Sequence, residues 1–159
     1  MTAATKTVFD IRPDDLSGEP TRALLALHLA DLRGNSPPGT SYALDLSGLQ
    51  APDITVWTAW AGDDIAGCGA LKEIAPGHGE IKSMRTAARH LRRGVAAALL
   101  EHIIATARSR GYTRLSLETG TSPDYDPAVA LYRRRGFRNG PIFGDYRPSP
   151  HNQFLHLNL

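Results

Sequence analysis

One cysteine in 159 residues, Cys68, leaves this chain no internal disulfide, and a lone thiol suits a reducing cytoplasm. No apolar run approaches the ~20 residues a membrane helix needs, and the opening MTAATKTVFD has no apolar signal core; no membrane partner is expected. The six histidines show no HxxxH spacing and none joins the cysteine in a ligand pattern, so no metal site is expected. The GxxxxGK[ST] loop of nucleotide triphosphatases is missing. Aromatic residues are only 7% of the chain and no basic stripe is interleaved with them, which argues against nucleic acid as a partner.

What is present is ordinary globular material. A hydrophobic content of 42% and this length support one core, read here as a single domain over residues 1–159. The net charge of +2 hides an asymmetry. Residues 1–80 carry 5 Lys/Arg against 11 Asp/Glu, whereas residues 81–159 carry 13 against 5. One side suited to a polyanion and another suited to a cation is the sharper explanation of that split.

The periodicities order the elements. TKTVFDIR (5–12) alternates as a strand, and Pro20–Arg33 reads as a helix with Leu25, Leu29 and Leu32 on one stripe. Residues 35–53 are rich in Pro, Gly and Ser and predict a surface loop with one helical turn near Tyr42–Leu46. ITVWTAW (54–60), DIAGCGALKEI (64–74) and GEIKSMRT (79–86) form an antiparallel meander with turns at Gly62 and Gly77. A helix from Gly94 to Arg110 has two apolar rows, Val95-Leu99-Ile103 and Ala96-Leu100-Ile104. After a short strand (114–118), Asp126 and Pro127 open a helix that Gly136 closes. Two strands at the C-terminus complete a mixed α/β sheet.

The second helix begins unusually. Arg92-Arg93-Gly94 replaces the Ser, Thr, Asp or Asn that caps most helices. Free N–H groups and partial positive charge at a helix start receive phosphates well. Gly94 removes a Cβ from the approach, and Arg92 and Arg93 add charge-assisted donors. The Gly67-Cys68-Gly69 triplet lies within a strand and reads instead as close packing.

The stretch Leu91-Arg92-Arg93-Gly94-Val95-Ala96 resembles the [RQ]-x-x-G-x-[GA] coenzyme A loop of the GNAT superfamily of N-acetyltransferases, with Leu91 replacing Arg or Gln. Tyr125 through Ala128, Leu131-Tyr132 and Gly136-Phe137 resemble the family's later N-x-x-A-x-x-L-Y-x-x-x-G-F signature, with Tyr125 replacing Asn. HGEIKSMRT, LSLETG and PIFGDY look like a bacterial subgroup of it.

The resemblance implies a mostly antiparallel sheet of about seven strands, flanked by helices, whose fourth and fifth strands splay apart. It implies acetyl-CoA as cosubstrate, with pantetheine along Met84, Arg85 and Thr86, the pyrophosphate on Leu91–Ala96, and a small-molecule or peptide amine as acceptor. Direct attack in a ternary complex needs an acid and a base. Tyr132 is the expected acid, although a phenol near pKa ~10 protonates a thiolate near ~8.5 only uphill. Glu118 is the first choice of base, with Glu73, Glu80 and His78 as rivals. Lys82 and Arg85 raise the prospect of a carboxylate-bearing acceptor, and Cys68 reads as core. Pairing of two copies through C-terminal strands is what many relatives imply. The reading from another class is a noncatalytic acyl-CoA sensor that keeps the loop and dispenses with Tyr132.

Overall fold

The computed structural model describes residues 8–34 and 44–159. Its strands are β1 (Asp10–Pro13), β2 (Ile54–Ala61), β3 (Asp64–Ala75), β4 (His78–Thr86), β5 (Arg114–Gly120), β6 (Arg138–Asn139) and β7 (Asn152–Asn158). Its α-helices are α1 (Glu19–Gly34), α2 (Leu46–Leu49), α3 (Val95–Ser109) and α4 (Asp126–Arg134). The strands join one sheet in the order β1-β2-β3-β4-β5-β7-β6, antiparallel except where β4 meets β5. No helix among the described residues is long and apolar enough to cross a membrane.

Each face of the sheet carries its own apolar cluster. Val95, Leu99, Leu100, Ile103 and Ile104 of α3 pack on Trp57, Leu71, Ile81 and Leu115, so both rows read from the sequence are used, although Ala96 itself is only half-buried. Gly67 lies under Val95 and Leu99, and Gly69 under Met84 and Ile103. A Cβ at either position would meet a neighbouring atom at 2.6 Å, which is the packing reason for the triplet. On the other face, Leu24 and Leu25 of α1 and Leu49 of α2 cover Val56, Cys68 and Ala70.

Several boundaries differ from expectation. The described part of the first strand runs from Asp10, and Thr5–Thr7 lie outside the described residues, as does Tyr42. The turn expected near Tyr42–Leu46 is α2, capped by Asp45, whose carboxylate accepts from the Gly48 N–H at 2.9 Å. The buried stripe of α1 is Thr21, Leu24, Leu25 and His28 rather than Leu25, Leu29 and Leu32. Its start is set by a polar clamp: Thr21 and Thr58 both donate to Asp14, at 2.8 and 2.9 Å. Asp126 is the first residue of α4, not its cap. A 3-10 turn at Pro123–Tyr125 runs directly into the helix, and Pro127 has no N–H to satisfy there.

Candidate functional site

The cleft lies beside a bulge. Cys68 faces Arg85 across the β3–β4 ladder and Ala70 faces Lys82, so Ser83 and Met84 stand opposite Gly69 alone. Ser83 has φ of 56°, a left-handed value that an L residue adopts only under constraint. β4 has already left β5 before that point. The two pair only at His78/Arg114, Gly79/Leu115 and Glu80/Ser116. Beyond these pairs a cavity of about 140 Å³ opens between them.

The cleft has an apolar wall. Met84, Leu117, Ala128 and Tyr132 line it, with Tyr132 projecting from α4. Tyr132 is 6% exposed and meets Phe137 edge-on at 5.6 Å. Burial pushes its phenol above the usual value of 10, so it keeps its proton. Met84 and Thr86 lie on the stretch of β4 that β5 no longer pairs, as does the Arg85 backbone. The Arg85 side chain is engaged elsewhere, with Asp31 of α1 at 2.5 Å.

The opposite wall is polar. Glu118 lines the cleft from β5, and burial raises its carboxyl from 4.5 to about 7. A hydrogen bond from Asn152 and the charge of Lys82 pull it down, and Glu80 pushes it up. Glu80, only 4% exposed, is held by Lys82 at 3.3 Å and by the Tyr146 hydroxyl. Lys82 also donates to Tyr146 at 2.8 Å. His28 of α1 is neutral: burial, then the charge of Arg85, lowers it to about 4.

The rival bases stand elsewhere or already have partners. Glu73 is exposed at the far end of β3 and lines no part of the cleft. His78 is outside the cleft lining and its Nε2 meets Ser116 Oγ at 2.6 Å, which in turn meets His156 Nδ1 at 2.6 Å. His156 Nε2 donates to the Pro141 carbonyl, so in the neutral ring Nδ1 accepts from Ser116 and His78 donates. Cys68 is fully buried and its thiol is pushed up to about 12, which makes it inert.

The arginine-glycine loop lies outside the cavity, where β4 hands over to α3. Arg92 and Gly94 both have positive φ, 63° and 84°, and Gly94 borders open space. Leu91, Arg92 and Arg93 are exposed and no side chain caps α3. The helix ladder begins at the Ala98 N–H, which donates to Gly94 O at 3.0 Å; the Val95 and Ala96 amides precede it. Asp64 anchors the approach, holding Arg89 at 2.8 Å and His90 at 2.6 Å. Part of the charge asymmetry is therefore internal, since Asp31 and Asp64 pair with basic residues of the second half.

Sequence reasoning missed three participants. Tyr146 and Asn152 arrive from the segment after β6, and no local pattern announces that they return to β4 and β5. His28 had a usable signal, four residues from both Leu24 and Leu32 on one helical face.

This arrangement has known counterparts. The model described as the acetyltransferase (GNAT) family matches residues 21–137. The chain is 50% identical over 149 residues to an uncharacterized N-acetyltransferase of Bacillus subtilis, YsnE, covering 94% of this chain and 99% of that one. It is 46% identical over 152 residues to another from Escherichia coli, YedL, covering 96% of each. Among solved structures, an acyl-CoA N-acyltransferase of Klebsiella pneumoniae matches with TM-score 0.81 and 27% identity over 96% of this chain and 99% of that one. A Bacillus subtilis acetyltransferase solved with CoA shares the fold at TM-score 0.69 and 21% identity, over 96% and 99%. From splayed strands to sequence kinship the signs agree: the chain belongs to the acetyltransferase (GNAT) family and is an acyl-CoA-dependent N-acetyltransferase.

Proposed function

We propose that residues 1–159 form one catalytic domain that moves the acetyl group of acetyl-CoA to a primary amine of a small molecule or peptide, by direct attack within a ternary complex. The observation that carries this reading is the pairing of an opened β4–β5 seam with a carboxyl poised at about 7 on one side and a protonated phenol on the other.

The seam fits a pantetheine arm. Met84, Arg85 and Thr86 offer backbone groups that β5 leaves unpaired, and an extended ligand satisfies them as an added strand would. Leu91–Ala96 fits the pyrophosphate, with the first α3 amides unsatisfied, Gly94 open, and Arg92 and Arg93 free to pair with anions.

Glu118 takes the proton from the incoming ammonium, directly or through a water, so that the nitrogen lone pair can form the C–N bond. A backbone N–H near Met84 meets the charge that develops on the thioester oxygen. As the C–S bond breaks, Tyr132 donates to the departing sulfur. Because burial raises its pKa further above that of a thiol, hydrogen bonding to the thiolate contributes more than full proton transfer. Cys68, buried and inert, supports transfer without a cysteine intermediate.

Calorimetry with acetyl-CoA, followed by amine-dependent release of free thiol, tests the reading. Expected are one site per chain with micromolar affinity and thiol release that depends on amine. Binding without release from any amine would favour a sensor, and no binding would remove the coenzyme assignment.

A further inference from the structure

The polar wall brings Glu80, Glu118 and Lys82 together. Lys82 reads in the sequence as an anchor for an acceptor carboxylate, but its ammonium lies against Glu80 at 3.3 Å and Tyr146 at 2.8 Å. Glu80 is buried and Lys82 largely so, their side chains 5% and 11% exposed. Turning Lys82 toward a ligand would strand the Glu80 carboxylate with only the Tyr146 hydroxyl, and an uncompensated buried charge is costly. Glu118 adds further negative charge to the same cleft as it ionises. Arg85, the other nearby cation on β4, is held by Asp31 at 2.5 Å. Tyr125 and Tyr146 add aromatic surface.

We propose that Glu80 is a specificity-determining residue: by neutralising Lys82 it makes the cleft reject amines carrying an α-carboxylate and accept amines on uncharged apolar or aromatic bodies. This rests on the N-acetylation reading above. An ammonium with no neighbouring anion meets Glu118 favourably. An amino acid brings its carboxylate to a wall whose cation, Lys82, is already matched, and like charges placed together across an interface are penalised by several kcal/mol.

The test compares kcat/KM for phenethylamine, phenylalanine amide and phenylalanine, with acetyl-CoA affinity measured alongside. The wild-type enzyme is expected to use phenethylamine and the amide about tenfold or more better than phenylalanine. Glu80→Gln, which releases the Lys82 charge, is expected to narrow or reverse the gap between amine and amino acid. Equal use of phenylalanine, an amide as poor as the acid, or an unchanged gap in Glu80→Gln would each overturn the proposal. So would failure of all three acceptors while acetyl-CoA still binds. Loss of acetyl-CoA binding in the wild type would instead defeat the underlying reading. The amide comparison needs no variant, so the proposal stays testable even where Glu80→Gln fails to fold.

Discussion

The two walls of the cleft differ in how they are built. The apolar wall is made by periodic elements: Met84 on β4, Leu117 on β5, Ala128 and Tyr132 on α4. Its parts are fixed by packing, as when Tyr132 stacks edge-on with Phe137. The polar wall is assembled from distant pieces, with Tyr146 reaching Glu80 across 66 positions and Asn152 reaching Glu118 from β7. One wall holds a phenol in place by shape; the other sets charge by matching partners. In this reading the donor group meets the first wall and the acceptor meets the second.

Changes to each wall and to the loop should separate these jobs. The largest effect is expected from Gly94→Glu. A side chain there is strained at φ of 84° and brings an anion to the helix start. Acetyl-CoA affinity should fall by roughly a hundredfold or more, read by calorimetry. Unchanged affinity would remove the loop from the coenzyme site.

Next is Glu118→Gln, which removes the base while keeping shape. Turnover should drop by roughly 10²-fold with acetyl-CoA affinity nearly intact. Equal losses in turnover and affinity would point to a structural role. Tyr132→Phe should cost less, about tenfold in kcat, since it removes one hydrogen bond to the leaving sulfur. Full activity in that variant would return Tyr132 to packing alone.

The smallest effect concerns stability. The Glu118 carboxyl titrates near 7 in the fold against an ordinary 4.5, so the folded chain holds this proton more tightly. Its stabilising contribution is full below about 4.5 and is lost as pH rises toward 7. Glu118→Gln should therefore raise the melting temperature at pH 8 by about 3–6 °C and change it little at pH 4. Equal shifts at both pH values would contradict the burial of Glu118 as the cause.

The ease of reading the sequence followed the same division. The α3 rows Val95-Leu99-Ile103 and Leu100-Ile104 were legible because burial on a sheet imposes a 3.6-residue repeat. The meander was legible from its glycine turns, and the loop at Arg92–Gly94 from the missing cap. The bulge at Ser83, just past the last β4–β5 pair, leaves no signature, since serine is an ordinary residue in a strand. Nor does the sequence reveal that Lys82 is already paired. Its partner Glu80 lies two residues away on the same strand, but the hydroxyl that joins them comes from Tyr146. Asp126 misled as a cap because a 3-10 turn one residue earlier had already begun the helix.

The most direct measurement of the central claim is the pH dependence of kcat/KM for acetyl transfer to one fixed amine, in the wild type and in Glu118→Gln. The wild-type rate should rise through an apparent pKa near 7 as Glu118 loses its proton, and that limb should vanish in the variant. A limb that persists unchanged in Glu118→Gln would contradict the assignment, placing the base elsewhere or leaving the amine's own titration as the cause.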